Sequence, residues 1–430
     1  MERNLPLFIA FRLLFNARYY YPVFAVMQLD YGLTMAQFAI LNAVWAVSIV
    51  LLEVPSGALA DRFGRKRMVV AASVLMIVEM AVIAFIPLGN SSLVFWAWVI
   101  NRILSGAAEA SASGADEALA YDSIPEDEQE ARWPRVLARL MTLTSIAFVV
   151  AMLVGAAVYD LELVHRVLGW CGSDLTPAKD LVIRFPIYLT LVNAVAALAV
   201  TLAMREPTCH STRPEDRTLW SGIFEAGRWV LRSPLVSGII LAALVHDSVV
   251  RLFLTLNSEY YRLIEIPEAA YGLIGALFAA LGIATPHFAR RLVESSRIEV
   301  NFAIVSVATF LGLLGASLAI PVYGVGMVVF FGVGFGFLNF FVSHYLNREV
   351  DSHHRATVLS FRGLALNLGF GIISLVYAAI LGLVREPDLE GQEAFARSLW
   401  WLPGLFAVLF VVLFVFYLAR VRPSCRNLNT

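Results

Sequence analysis

Long apolar runs alternate with short polar connections along the whole chain. An α-helix needs about 20 predominantly apolar residues to cross the ~30 Å hydrocarbon core of a bilayer, whereas a membrane β-strand needs only about 9–11. The runs are too long for barrel strands and therefore predict an all-α integral membrane protein with twelve transmembrane helices. The predicted spans are 5–28, 38–60, 68–88, 94–120, 137–159, 184–204, 235–258, 270–289, 300–319, 321–345, 356–384 and 397–419.

The composition agrees with a protein that lies in a lipid bilayer. Of the 430 residues, 59% are hydrophobic and 15% charged, whereas a soluble protein carries about 25% charged residues. The net charge of −1 and the lack of a basic patch argue against nucleic acid as a partner. The three cysteines show no metal-ligand spacing, so no metal site is expected. No cofactor is predicted either. Because no small-residue cleavage site follows the first apolar run, we expect that run to be retained as a span.

The distribution of cations predicts the orientation in the membrane. Lys and Arg accumulate in short cytoplasmic connections. If the N-terminus is inside, the inner segments hold 20 of these residues and the outer segments 5. We therefore expect both termini to be cytoplasmic, in a multi-pass protein of the cell inner membrane or plasma membrane.

The longest polar connection, 205–234, separates the first six spans from the last six. A linker at this place is typical of two bundles that move against each other. The predicted domains are an N-terminal six-helix bundle at 1–204, a cytoplasmic linker at 205–234 and a C-terminal six-helix bundle at 235–430.

The connection between the second and third spans carries the sequence GALADRFGRK. This stretch closely resembles the signature that members of the major facilitator superfamily carry between helices 2 and 3. The resemblance implies a fold of two six-helix bundles and a gate on the cytoplasmic side.

In that gate Asp61 would face the start of helix 11, because a carboxylate is favoured at the positive N-terminus of a helix, and the basic residues would bind acids at the inner end of helix 4. The implied gate and motif residues are Gly57, Asp61, Arg62, Gly64, Arg65, Lys66, Asp116, Asp122 and Arg362. The alternative, that the cations only set the topology, leaves Asp61 and the two glycines unexplained.

The fourth span contains NRILSGAAEA, residues 101–110. Its Arg-x-x-x-Gly pattern is similar to the motif of proton-coupled members of the same superfamily. In one continuous helix, Arg102, Glu109 and Asp116 would lie within about 40° of one another, with ~10 Å between successive members. A charge near the bilayer centre costs at least ~2.5 kcal/mol and usually marks a pathway or a relay. Glu109 is therefore the first candidate for the proton-binding group; the alternative is a structural ion pair with helix 1.

Polar residues at depth in three other spans complete the candidate site. Arg12, Asn16 and Tyr19 follow one face of helix 1, Asp247 and Arg251 lie one turn apart in helix 7, and Asn339 lies in helix 10. The resemblance assigns helices 1, 4, 7 and 10 to the central cavity. Asp247 is the second candidate for proton coupling, although it could simply pair with Arg251. The predicted substrate-binding residues are Arg12, Asn16, Tyr19, Arg102, Arg251 and Asn339.

Other residues at depth carry weaker signals. His246 could titrate near physiological pH, but a lone histidine on an apolar helix is more often a packing residue. Glu53 and Glu79 have no assigned role. Helix 5 has Gly155 without the adjacent proline of the antiporter signature, which weakens the interpretation of the protein as a drug and proton antiporter.

Three functions are consistent with these patterns. The first is a secondary transporter that is coupled to protons and exports a drug or another small organic compound. The second is an importer of an organic anion, because arginine suits carboxylate and phosphate groups. The third is a transporter-like sensor or partner-binding subunit.

We expect a monomer whose partners are its small-molecule substrate, protons and the lipid bilayer. The chain has neither a phosphate loop for ATP nor a nucleophile elbow, so no enzymatic activity is predicted.

Overall fold

The structure is a computed structural model that describes residues 3–206, 227–350, 352–384 and 391–423, apart from the side chains at positions 54, 58, 61, 126 and 352–357. All regular elements in these residues are helices. The first part of the chain forms α1 (Asn4–Asn16), α2 (Phe24–Asp30), α3 (Met35–Phe63), α4 (Arg65–Ala84), α5 (Ser91–Ala112), α6 (Ala115–Tyr121), α7 (Gln129–Tyr159), α8 (Leu161–Trp170), α9 (Lys179–Val182) and α10 (Phe185–Ala203). The second part forms α11 (Pro234–Thr255), α12 (Asn257–Leu263), α13 (Tyr271–Ser295), α14 (Ile298–Ser317), α15 (Val325–Glu349), α16 (Ser352–Val384), α17 (Gly391–Leu399), α18 (Trp401–Phe416) and a π-helical turn (Tyr417–Val421).

Ten helical segments of the described residues are long and apolar enough to cross a membrane. They correspond to ten of the predicted spans. The other two predicted spans are interrupted, since 5–28 is divided into α1 and α2 and 94–120 into α5 and α6. The prediction of unbroken helices at these two places is wrong, whereas the all-α fold with twelve transmembrane spans is confirmed.

A glycine explains the interruption of the fourth span. The α5 helix ends at Ala112, and Gly114 follows with a φ of +74° before α6 begins. A residue without a Cβ adopts this left-handed conformation at little cost, which is why glycine commonly ends a helix. As a result Asp116 lies on a separate short helix and does not share a continuous stripe with Arg102 and Glu109.

The chain forms two compact units. Unit 1 comprises 1–33, 44–217 and 267–276, and unit 2 comprises 34–43, 218–266 and 277–430. Because most of the connection proposed as a linker falls outside the described residues, the domain boundaries at 204 and 235 stay a prediction.

Small side chains allow the helices of unit 1 to approach one another closely. Ala72 of α4, Ala108 of α5 and Ala194 of α10 are fully buried in one core cluster. Close packing of this kind is how helices associate within a membrane, where burial from water supplies no driving force. It brings the Glu79 carboxylate of α4 and the Glu109 carboxylate of α5 to the same arginine, Arg18. The core of unit 2 is built around larger residues, such as Phe341 and Leu346 of α15.

Candidate functional site

The connection between α3 and α4 turns at a glycine and is held by an acid that the sequence analysis did not select. Gly64 has a φ of +97°, and a Cβ there would lie 3.0 Å from the Glu206 carboxylate. That carboxylate accepts hydrogen bonds from the backbone N–H groups of Arg65 and Lys66, both at 2.8 Å. An anion at this place satisfies the free N–H groups at the start of α4 and complements the helix dipole. Glu206 follows the last apolar residues of the sixth span, so no local pattern marks it as a cap.

The cations of this connection have different surroundings. Arg65 contacts the Asp122 carboxylate and donates a hydrogen bond to the Ala118 carbonyl at 3.1 Å. Lys66 donates through Nζ to the Leu202 carbonyl at 3.1 Å. Arg62 lies over the ring of Phe63. The contacts of Arg65 and Lys66 lie within unit 1 and join α4 to the ends of the fourth and sixth spans.

Two of the predicted gate residues have little or no described environment. The side chain of Asp61 lies outside the described residues, as do the side chains at the start of α16. Gly57 is exposed, and no described atom lies within 4 Å of where its Cβ would be. The role of Asp61 at the start of helix 11 therefore stays a prediction.

Arg12, predicted to bind substrate, is paired with two acids of α6. Its Nη2 lies 3.0 Å from Oδ1 of Asp116 and 3.2 Å from Oε1 of Glu117. The Asp116 carboxylate is fully buried, so the guanidinium compensates a charge that would be costly alone. The Arg12 side chain is thus engaged with the end of the fourth span in this structure.

The centre of unit 1 holds a buried cluster that we call the Arg18 cluster, formed by Arg18, Glu79 and Glu109. Arg18 contacts the Glu79 carboxylate through Nη1, and its Nη2 lies 3.5 Å from Oε1 of Glu109. The side chains of Arg18, Glu79 and Glu109 are 1%, 0% and 33% exposed. The hydroxyl of Tyr20 accepts a hydrogen bond from Arg18 at 3.1 Å. One guanidinium therefore contacts two carboxylates from neighbouring helices, and of the three side chains only that of Glu109 is appreciably exposed.

Sequence reasoning selected Glu109 but missed Arg18 and left Glu79 without a role. The available signal was the presence of both residues inside apolar spans, where ionisable groups are rare and commonly functional. Helical spacing pairs Glu109 with Arg102, whereas the structure pairs it with Arg18 of the first predicted span, which agrees with the alternative of an ion pair with helix 1. Distances between helices decide this, and the spacing along one helix does not contain them.

Arg102, the predicted partner of Glu109, donates its hydrogen bonds to the preceding residue of α5. Its Nε and Nη2 donate to Oδ1 of Asn101 at 3.1 and 2.8 Å. Its guanidinium also lies over the rings of Phe24 and Trp98, at 5.1 and 5.8 Å from their centroids. Asn101 in turn donates to the backbone carbonyl of Glu79 at 2.8 Å. Arg102 is almost fully buried and supports the helix that carries Glu79.

The break between α1 and α2 places Arg18 at the cluster. Asn193 donates to the carbonyl of Ala17 at 3.0 Å, and the hydroxyl oxygen of Thr190 accepts from the N–H of Tyr19 at 3.1 Å. These side chains of α10 satisfy backbone groups that the interruption would leave without partners, a condition for irregular backbone at membrane depth. Of the other predicted residues of helix 1, Asn16 is exposed and Tyr19 is half-buried.

A second group of charges lies in unit 2, between α11 and α16. Arg251 contacts Asp247 at 2.7 Å, donates to Oδ1 of Asn367 at 2.9 Å and lies over the ring of Phe370. Arg362 interacts electrostatically with Asp247 and Arg251. Its Nε is buried without a hydrogen-bond partner among the described residues. This group therefore contains two cations and one acid.

The remaining predicted residues of unit 2 form local contacts. Nδ1 of His246 lies 2.8 Å from the carbonyl of Ala242, and its Nε2 lies 2.9 Å from the hydroxyl of Ser306. The ring is fully buried against Phe406. Asn339 is exposed and donates to the carbonyl of Phe335 in its own helix. Within the described ranges, no group of acids, histidines and cysteines could hold a metal ion.

Comparison with solved structures shows similarity to membrane transporters. The nucleoside transporter NupG aligns with a TM-score of 0.73 and 15% identity, over 97% of this chain and 99% of that chain. A bacterial homologue of the human lysosomal transporter Spinster, inward-facing and unoccupied, aligns with a TM-score of 0.71 and 18% identity, over 98% of this chain and 96% of that chain. A D-xylose-proton symporter aligns with a TM-score of 0.66 and 14% identity, over 96% of this chain and 97% of that chain.

These similarities establish the fold, and the sequence comparison establishes the family. Comparison with curated protein sequences finds no match. The sequence profile of the Major Facilitator Superfamily matches residues 7–374, which is most of the chain. The protein is accordingly a multi-pass membrane transporter and not an enzyme, and it belongs to the Major Facilitator Superfamily.

Proposed function

We propose that the protein is a proton-coupled secondary transporter that exports a small organic compound, such as a drug or a metabolite, by alternating access. The observation that carries the proposal is the Arg18 cluster. In secondary transporters the sites for substrate and for coupling ions such as protons lie near the bilayer midplane. Ionisable groups inside spans commonly form such proton relays.

The geometry of the cluster supports Glu109 as the proton-binding group. Glu79 is fully buried and holds the shorter contact with Arg18, whereas Glu109 lies 3.5 Å away with a third of its side chain exposed. A proton can therefore reach Glu109 from water more easily than it can reach Glu79. When Glu109 is protonated, Arg18 keeps Glu79 as its partner, so the guanidinium is never left buried without a counter-charge.

Proteoliposomes with an imposed pH gradient test this proposal. Uptake would be measured for a panel of lipophilic cations, neutral organic compounds and organic anions. We expect Glu109→Gln to lose accumulation driven by the gradient while it still exchanges substrate across the membrane. Glu128→Gln is the matched control, because Glu128 is exposed and its ion pair among the described contacts is with Arg132, four residues further along the chain. Undiminished uphill transport by Glu109→Gln would move the proton site elsewhere, and Asp247→Gln would be measured next.

Organic-anion import is a second candidate function, favoured by the charges of unit 2. Asp247 is engaged by Arg251, and the buried Nε of Arg362 has no hydrogen-bond partner among the described residues. A guanidinium that is not consumed by a carboxylate can hold an anionic group with two parallel hydrogen bonds. Arg362, which the resemblance assigns to the gate, would then contact substrate.

Binding of matched ligands separates the two candidates. If substrates are anionic, Arg362→Gln should weaken binding of a carboxylate ligand by about tenfold or more, which is about 1.4 kcal/mol. A neutral amide of the same shape should bind as before. Arg348→Gln is the control, because Arg348 is exposed and lies beside Glu349. Equal losses for both ligands would indicate structural damage and would contradict anion recognition by Arg362.

The proposal also includes the orientation of the protein in the membrane and its oligomeric state. The excess of cations in alternate connections supports cytoplasmic termini. We expect the protein to act as a monomer in the cytoplasmic membrane.

A further inference from the structure

Unit 2 contains a cavity of about 310 Å³ between α11, α14 and α18. Its volume is near the lower end of the range of about 300–1,000 Å³ that is typical of small-molecule sites. The wall is largely apolar and includes Ile239, Ile298, Phe302, Phe410 and Leu413. None of the charged groups of the candidate transport site lines it. The cavity is therefore separate from the two charged clusters described above.

Small residues and an irregular turn create the space. Gly238, Ala242 and Ala303 line the cavity where larger side chains would fill it. The π-helical turn Tyr417–Val421 contributes Tyr417 and Val421 to the lining, and a Cβ at Gly238 would lie 2.9 Å from Cγ2 of Val421. A π-helical turn is rare and is frequently found at functional sites.

The cavity adjoins a surface that faces lipid. In α14 the side chain of Val307 is 58% exposed, and in α18 Val411 and Phe414 are 58% and 49% exposed. Both helices are long apolar segments that cross the membrane. In a bilayer such side chains contact acyl chains, so an acyl chain can enter the cavity without passing through water.

One end of the cavity is polar and negatively charged. Glu299 lines it from the first turn of α14 and is exposed. The hydroxyl of Tyr417 lies 3.5 Å from Oε1 of Glu299. Within the described part of the chain, Glu299 forms no ion pair. An exposed carboxylate at the mouth of an apolar cavity favours a ligand with an apolar tail and a cationic group at its head.

We propose that this cavity binds one acyl chain of a membrane phospholipid whose ammonium headgroup contacts Glu299. The apolar lining selects the chain, and the carboxylate selects an ammonium headgroup over an anionic one. Phosphatidylethanolamine satisfies both requirements because its ammonium group has three N–H donors. Phosphatidylglycerol has the same chains without the cation and would be repelled by the carboxylate.

Native mass spectrometry of the purified, delipidated protein tests the proposal. The protein would be titrated separately with dioleoyl phosphatidylethanolamine and dioleoyl phosphatidylglycerol in detergent. We expect one phosphatidylethanolamine to bind at least about tenfold more tightly than phosphatidylglycerol. Ala303→Phe should abolish this binding, because the ring occupies the cavity. Val307→Phe is the matched control, since Val307 lies one turn further along α14, faces lipid and does not line the cavity.

The headgroup contact is tested separately from the chain contact. Glu299→Gln should retain one bound lipid but lose the preference for phosphatidylethanolamine. If Ala303→Phe does not fold, Ala303→Leu makes the same test with less added volume. Wild-type affinity in the Ala303 variant would overturn the proposal, as would preferential binding of a lipophilic cation such as tetraphenylphosphonium in place of phospholipid. Transport in the Glu109→Gln experiment does not enter this test, so the two proposals can fail independently.

Discussion

Gly155 of α7 lies directly against the carbonyl group of Tyr19 in the break between α1 and α2. A Cβ at position 155 would clash with the Tyr19 oxygen and would lie 3.2 Å from Cγ of Pro22. Both elements belong to unit 1. The irregular backbone that places Arg18 at its two carboxylates is thus possible only if residue 155 has no side chain. Gly155 therefore has a structural role, and this role does not depend on a proline beside it in the sequence.

Gly155→Ala should therefore displace the break and disturb the Arg18 cluster. Overpacking of this kind commonly costs about 1–3 kcal/mol, so the melting temperature of the purified protein should fall by several degrees. Gly382→Ala is the control, because none of the described residues lies within 4 Å of the corresponding Cβ position in α16. Equal melting temperatures for the two variants would contradict the close contact at Tyr19.

Changes within the Arg18 cluster should be non-additive. Arg18→Gln removes the cation that contacts both carboxylates, and loss of one partner of a buried pair commonly costs about 3–5 kcal/mol. The double variant Arg18→Gln with Glu79→Gln removes the buried charge of both and should recover part of this loss. The measurement is thermal unfolding of wild type, both single variants and the double variant. Additive losses would show that Arg18 and Glu79 are not energetically coupled.

Glu206 should stabilise the connection that contains the GRK sequence. Its carboxylate accepts two backbone hydrogen bonds at the start of α4, and loss of a side-chain cap commonly costs about 1 kcal/mol. Glu206→Ala should lower the melting temperature slightly and increase the rate of amide hydrogen exchange at Arg65 and Lys66. Glu128→Ala should change neither quantity. Unchanged exchange at Arg65 and Lys66 would argue against the cap.

The predicted orientation can be measured with the native cysteines. Cys171 is exposed and lies in the predicted outer connection between helices 5 and 6. Cys209 and Cys425 lie in predicted inner segments outside the described residues. A membrane-impermeant maleimide added to intact cells should label wild type but not Cys171→Ser. Labelling that persists in Cys171→Ser would show that the opposite orientation is correct.

Local sequence patterns were sufficient to identify the class of protein and its spans. A bilayer accepts an α-helix only if about 20 successive residues are apolar, and that requirement can be read from each run separately. The GALADRFGRK sequence was equally local, and the superfamily that it resembles is the family to which the chain belongs. Glu109 could be selected in the same way, because an acid inside an apolar span is unusual wherever its neighbours lie.

Tertiary structure alone decided which charges meet. The sequence placed Glu109 with Arg102 on one helical stripe, but the cation that contacts Glu109 is Arg18. The position of Arg18 depends on the break between α1 and α2. Residues of two other helices, Gly155 of α7 and Thr190 and Asn193 of α10, contact the backbone of this break. Asp116 left the stripe because Gly114 interrupts the helix and Arg12 binds the carboxylate from α1. Hydropathy reports the preference of each residue for lipid or water, which is a local property. Pairing of buried charges depends on distances of a few ångströms between helices far apart in the chain, and only the packed structure determines these distances.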